Sequence, residues 1–177
     1  MKNIYSLFLV FLFSVVMKAE VSVSEKSALI NLYNATNGAN WKAKWDLNAP
    51  VSSWYGVKLL NDKVVAIQLQ NNNLVGTLPA SIGDMKSLEV LNLSFNKISG
   101  SIPTSIGEIG SLKSLSMFMN ALSGTIPAEM GKLSNLESLS LYNNDLEGQI
   151  PSSLYNLKNL KVLYLNSNKL SGKLDSS

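Results

Sequence analysis

Acid–base chemistry in this chain would have to come from carboxylates, lysines or tyrosines, because its 177 residues include no histidine, cysteine or arginine. That composition removes Ser-His-Asp and Cys-His catalysis, most zinc sites and bidentate guanidinium clamps on phosphate. What is left is a pair of acids, the arrangement of a glycosidase. Asp145 and Glu147 are close enough in sequence to attempt it, and Asp84, Glu108 and Lys132 fall at one offset of a repeated block. The second set changes sign along its column and reads as a solvated surface. No glycine-rich stretch matches a phosphate cradle, and neither a metal nor a cofactor site is expected. The better candidates are groups that bind rather than react. Phe95, Phe118, Met119, Tyr142 and Tyr164 recur at positions where nothing in the repeat calls for a large apolar side chain. Such groups mark contact surfaces, the alternative being that Phe95, Phe118 and Met119 simply pack on one another and shield the sheet.

The elements that must position them are repeats of 24 residues. Leu88–Ser111 reads LEVLNLSFNKISGSIPTSIGEIGS, and the blocks opening at Leu112 and Leu136 follow it almost position for position. Val64–Ser87 is a weaker first copy, and Leu160–Ser177 an incomplete fifth. Within L-x-x-L-x-L the alternation has period two, so each block opens on a short strand with one face buried. Leu91, Leu115, Leu139 and Leu163 stack on the inside, as do Leu93, Met117, Leu141 and Leu165. The outward set is Ala66, Gln68, Gln70 and Asn71 in the first rung. Later rungs place Val90, Asn92, Ser94 and Phe95; Ser114, Ser116, Phe118 and Met119; Ser138, Ser140, Tyr142 and Asn143; then Val162, Tyr164, Asn166 and Ser167. Where each strand ends, Asn72, Asn96, Asn120, Asn144 and Asn168 offer amides that bond loop backbone. The glycines at 76, 100, 124, 148 and 172 permit a tight turn, and Pro79, Pro103, Pro127 and Pro151 fix φ on the return side.

A period of 24 with leucines at these offsets identifies a leucine-rich repeat solenoid. The string N-x-L-x-G-x-I-P resembles the plant-specific subtype, found in plant receptor-like kinases, polygalacturonase-inhibiting proteins and similar secreted bacterial proteins. The resemblance implies an α/β fold: a right-handed solenoid, a parallel sheet on the concave face, a second short sheet, and mostly 3₁₀ helix on the convex side. It also implies that the concave face binds protein, peptide or glycan ligands. Residues 20–63 are similar to the helical N-terminal cap of the same family. There Ser24 is expected to cap a helix reaching Gly38, with Leu29, Leu32 and Tyr33 on one face. A hairpin joins Val57–Leu60 to Lys63–Leu69 through Asn61-Asp62. The string SSWYGVKL matches the family's Cys-x-Trp-x-Gly-Val-x-Cys, with Ser52 and Leu59 at the cysteine positions, so the cap disulfide is missing. Trp41, Trp45 and Trp54 read as a hydrophobic lid over the first rung; the sharper alternative is a carbohydrate platform. The missing cysteines point to a bacterial source.

Residues 1–19 are expected to be a secretory signal peptide: Lys2, an apolar run of 13 residues from Ile4 to Val16, and Ala19 for cleavage before Glu20. The run is too short to span a bilayer, and no later segment is long and apolar enough. Removing it takes the net charge from +3 to +1 by losing Lys2 and Lys18, which gives no argument for nucleic acid. The chain therefore reads as a secreted or cell-surface recognition module, extracellular or periplasmic and without enzymatic activity, made of a cap and five repeats over 64–177. The alternative is structural: a self-associating array, or a fragment of a larger receptor or adhesin. Its last rung would then expose Leu163, Leu165, Leu170 and Leu174 to another copy. Ice binding is not expected, because the column Thr77, Ser101, Thr125 is broken by Gln149 and Lys173, and the column Asn71, Phe95, Met119, Asn143, Ser167 is irregular.

Overall fold

Each 24-residue block becomes one rung carrying two strands. The computed structural model describes residues 20–172; the expected signal peptide and Leu174 lie outside the described residues. The chain runs from helix α1 (Val23–Ala35) through β1 (Val57–Leu60) and β2 (Lys63–Gln68) to β3 (Val75–Thr77). The rungs then supply β4 (Val90–Asn92) and β5 (Lys97–Gly100), β6 (Ser114–Ser116) and β7 (Ala121–Gly124), β8 (Ser138–Ser140) and β9 (Asp145–Gln149), and finally β10 (Val162–Tyr164) and β11 (Lys169–Ser171). One sheet has the order β1-β2-β4-β6-β8-β10 and the other β11-β9-β7-β5-β3.

In the six-stranded sheet the parallel pairs keep the repeat offset: Ala66 faces Val90, Val90 faces Ser114, Ser114 faces Ser138, and Ser138 faces Val162. The second sheet is sheared by two residues per rung, with Val75 opposite Lys97 and Ser123 opposite Asp145. An even slip leaves inner and outer faces unchanged. It does move the expected neighbours: Thr77 stands across from Ser99, not Ser101. Between the sheets run the buried columns, Ile67, Leu91, Leu115, Leu139 and then Leu93, Met117, Leu141. Leu163, Leu165 and Leu170 are only half-buried but pack against that core.

The return side is built from four 3₁₀ turns, Ala80–Asp84, Thr104–Glu108, Ala128–Lys132 and Ser152–Asn156, each preceded by its proline. Proline suits that place because its φ is preset and its missing N–H is not needed. Successive turns lie very close. A Cβ on Gly107 would stand 2.3 Å from the carbonyl oxygen of Glu129, so glycine is what lets the backbones approach.

The asparagine column is a ladder of amides. Asn144 Nδ2 donates to the carbonyls of Met117 (3.0 Å) and Leu141 (2.9 Å), and its Oδ1 accepts from Leu122 N (3.0 Å). Asn120 and Asn168 repeat the pattern on their own neighbours. Each amide thus satisfies strand-end groups of two rungs at once.

The first rung is closed by the cap. Helix α1 begins two residues earlier than expected, and its N-cap is Ser22 rather than Ser24. The Ser22 hydroxyl accepts from Glu25 N and donates to Glu25 Oε2, the serine half of a capping box in the sequence S-x-x-E, while Glu25 Oε1 accepts from Val64 N. At the other end the helix stops at Ala35 and Asn37, at φ +57°, takes the left-handed position in place of Gly38. The second strand of the hairpin ends at Gln68, with Asn61 and Asp62 both at positive φ in the turn. Trp41, Trp45 and Trp54 are buried, stacked edge or face on one another and on Tyr33. Their indole N–H groups donate to the carbonyls of Thr36, Tyr55 and Asp46. Buried faces with satisfied donors make a lid and leave no platform for a sugar.

Candidate recognition surface

Alternation within each strand turns the odd side chains inward and aims the rest at solvent. On the six-stranded face this places Phe118 and Tyr142 at the same offset in adjacent rungs, where strand spacing alone would bring them to about 4.8 Å. Their ring centroids are 4.4 Å apart and the planes only 10° from parallel. Phe95 meets Phe118 edge-on at 4.9 Å, and Tyr164 meets Tyr142 edge-on at 6.3 Å. Four side chains from four successive rungs therefore form one unbroken aromatic strip slanting across the sheet. Its two inner members are half-buried, while Phe95 and Tyr164 at the ends are 50% and 54% exposed. Met119 stands beside it, 41% exposed. All five expected contact residues lie on one face. Three of the other outward positions differ from expectation: Ala66, Ser94 and Ser140 are buried. Ala66 is opposite Lys58 of the edge strand β1, and the Ser94 hydroxyl is tied to Asn92 Oδ1 at 2.6 Å.

Just past each strand the chain turns through a residue in the left-handed region, Asn71, Phe95, Met119, Asn143 and Ser167, all with φ between 52° and 56°. This column was not evident from the sequence as a backbone feature; asparagine at 71 and 143 is the only trace it leaves there.

Charge along the sheet is organised in pairs. Glu89, Lys113, Glu137 and Lys161 sit at one repeat offset and alternate in sign. Lys113 reaches Glu89 at 2.8 Å and Lys161 reaches Glu137 at 2.7 Å. The bonded Glu89 carboxylate holds the Lys113 ammonium above its ordinary pKa, and the Lys161 ammonium holds Glu137 below its own. On the return side Glu108 is lowered chiefly by its bond to Lys86, at 2.7 Å, with Lys132 adding a weaker pull. The two acids considered for glycosidase chemistry are exposed on β9, and Asp145 is bound to Lys169 at 2.8 Å. Asp145 is thus an ion-paired surface group. Among the described residues no cluster of three metal-ligating side chains occurs, and no helix is long and apolar enough to cross a membrane.

Comparison with known proteins agrees with this architecture. Residues 66–177 match the family model described as a leucine-rich repeat region. Polygalacturonase inhibitor 1 of Arabidopsis thaliana is 32% identical over 85 residues, 46% of this chain and 26% of that protein. This chain therefore matches about a quarter of the inhibitor's length. Among solved structures, the BIR3–SERK2 complex from Arabidopsis thaliana aligns with TM-score 0.71 and 32% identity, over 82% of both chains. The plant peptide hormone receptor RGFR1 in complex with RGF2 aligns with TM-score 0.57 and 38% identity, over 58% of this chain and 16% of that one. With plant proteins among these matches, the expectation of a bacterial source gains no support from them. The repeat, the two sheets and the family match together settle one assignment: the chain belongs to the leucine-rich repeat family.

Proposed function

We propose that this protein is an extracellular, non-enzymatic recognition module that binds a peptide or protein segment across its six-stranded face, with Phe95, Phe118, Met119, Tyr142 and Tyr164 in contact. The observation that carries the reading is the continuous aromatic strip. It lies on side chains that the core, the asparagine ladder and the return turns leave free; its rings pack on one another across the rungs, but the repeat itself does not call for them. The likeness to a peptide hormone receptor in complex with RGF2 and to a protein–protein complex supports the same class of ligand.

Ring orientation favours a peptide over a glycan. A sugar ring stacks on an open aromatic face, but Phe118 and Tyr142 turn their faces on each other. The strip presents edges and apolar flanks, which suit aliphatic and aromatic side chains. With its neighbouring charges already paired, it asks for no strongly charged ligand.

A phage-displayed library of linear 12-residue peptides, panned on the wild-type protein, supplies the test. Two aromatic anchors removed together cost about 2 kcal/mol or more each, so Phe118→Ala with Tyr142→Ala is expected to weaken the selected peptides by roughly a thousandfold, that is about 4 kcal/mol. The circular dichroism spectrum should stay that of the wild type. Unchanged affinity in the folded double variant would refute the assignment.

A further inference from the structure

The strip and its flank include two residues that the backbone itself disfavours. At the turn after each strand, left-handed φ is imposed on five successive rungs. Asparagine accepts this conformation more readily than most residues, because its short polar side chain bonds locally, and it stands there in the first and fourth rungs. The second and third rungs carry Phe95 at φ 55° and Met119 at φ 52°. Both have long apolar side chains that bring no such compensation. Each backbone is bonded to a neighbouring rung, Phe95 on one side and Met119 on both. Phe95 N donates to the carbonyl of Phe118 and Met119 N to that of Tyr142, while the Met119 carbonyl accepts from Asn96 N. Burial does not compensate either: the two side chains are 50% and 41% exposed. A large apolar residue in left-handed backbone that stays about half exposed gains little from folding there, even where, as at Phe95, it packs edge-on against a neighbour, and local strain of this kind collects at functional sites.

We infer that Phe95 and Met119 are the specificity-determining residues of the strip, kept in left-handed backbone at a cost to stability so that they grip an apolar side chain of the bound peptide over rungs two and three. This rests on the reading of the strip as a ligand surface. Phe95 supplies a rigid wall already braced against Phe118. Met119 supplies an unbranched, polarisable arm that adapts to the shape of what it meets. The neighbouring rungs, with Asn143 and Ser167 at the same offset, would accept a wider range of side chains.

Met119→Asn and the reverse exchange Asn143→Met separate this from simple packing. In thermal unfolding at neutral pH, Met119→Asn is expected to raise the midpoint by roughly 2–4 °C, and Asn143→Met to lower it by a similar amount. The linear 12-residue peptides selected on the wild-type protein should bind Met119→Asn at least tenfold more weakly. Among those peptides, the preference for an apolar residue at one position should be lost. A midpoint that falls or stays put in Met119→Asn, or peptide affinity that is unchanged, overturns the inference. The companion variant keeps the two readings apart. If Phe118→Ala with Tyr142→Ala abolishes binding and Met119→Asn does not, only the role given to Met119 and Phe95 fails. If neither changes binding, the strip is not the ligand surface at all.

Discussion

Replacing Asn144 with alanine removes one amide from the ladder, and the structure fixes what that leaves behind. Three good hydrogen bonds go, to the carbonyls of Met117 and Leu141 and from Leu122 N. The carbonyls are not stranded: Asn120 still donates to Met117 O at 3.1 Å, and Asn168 to Leu141 O at 3.0 Å. No second side-chain amide reaches Leu122 N, and it lies in a residue with 0% exposure. An orphaned buried donor costs about 1–3 kcal/mol, and two shared bonds lost at about 1 kcal/mol each add to it. We expect a destabilisation of about 3–5 kcal/mol, a large part of the 5–15 kcal/mol typical of a whole domain. Urea unfolding followed by circular dichroism reads this as a lower midpoint with an unchanged slope. Asn166→Ala is the control. Asn166 is exposed, its side chain making one weak contact to the Ser167 hydroxyl at 3.4 Å, so that change should stay within about 0.5 kcal/mol. If Asn144→Ala lies within 1 kcal/mol or so of the control, water or a small shift replaces the amide. The ladder would then not be what holds neighbouring rungs together.

The cap and the charged columns give further tests. Trp41→Ala, at a position 2% exposed with two edge-on ring contacts, should cost about 3–5 kcal/mol as a core aromatic truncation and shift the thermal midpoint of the whole chain. Separate early melting of the cap, with the rungs unaffected, would show that the lid is not coupled to the solenoid. Glu108 and Glu137 have pKa values lowered by Lys86 and Lys161, so their contribution is present above the unfolded carboxylate range near pH 4.3. It is lost as pH falls through their folded values. Lys113 and Lys169 are raised by Glu89 and Asp145, so theirs is present below about pH 10.4 and lost above it. The midpoint should therefore sag at both ends of the pH range in low salt. That sag should flatten at about 1 M salt, where the screening length is about 3 Å. A pH profile indifferent to salt would argue against these pairs as its cause.

Much of this architecture is legible in the sequence because the rung is demanding. Inner leucines, a strand-end asparagine, a glycine and a proline each answer one steric or hydrogen-bonding requirement, and a period of 24 residues repeats the answer until chance is excluded. The aromatic strip was legible for the converse reason, since large groups appear where nothing requires them. Three features were harder. Ser22, not Ser24, caps the helix; the pattern S-x-x-E ending at Glu25 marked it, but the apolar periodicity alone drew the start too late. The two-residue shear of the second sheet comes from how rungs lean on one another, and no side-chain pattern records an even slip. The left-handed column is hidden by its own occupants, because Phe95 and Met119 give no hint of a positive φ.

That concealment bears on how the fold divides its labour. In a solenoid each rung touches only its neighbours, so stability is close to a sum of rung and interface terms. Changes at the asparagine, glycine or proline columns enter that sum directly, as the Glu129 carbonyl 2.3 Å from a Cβ at Gly107 shows. The outward positions of the six-stranded face enter it weakly. They are free to differ between rungs, and here they do: glutamine in the first, phenylalanine and methionine in the second and third, tyrosine in the fourth and fifth. A scaffold built this way can change what its face contacts without losing its shape, provided the new residue tolerates the backbone it lands on. Phe95 and Met119 stand where that tolerance is lowest; on the proposal made above they, rather than Tyr142 or Tyr164, are where contact and the demands of folding most clearly oppose each other.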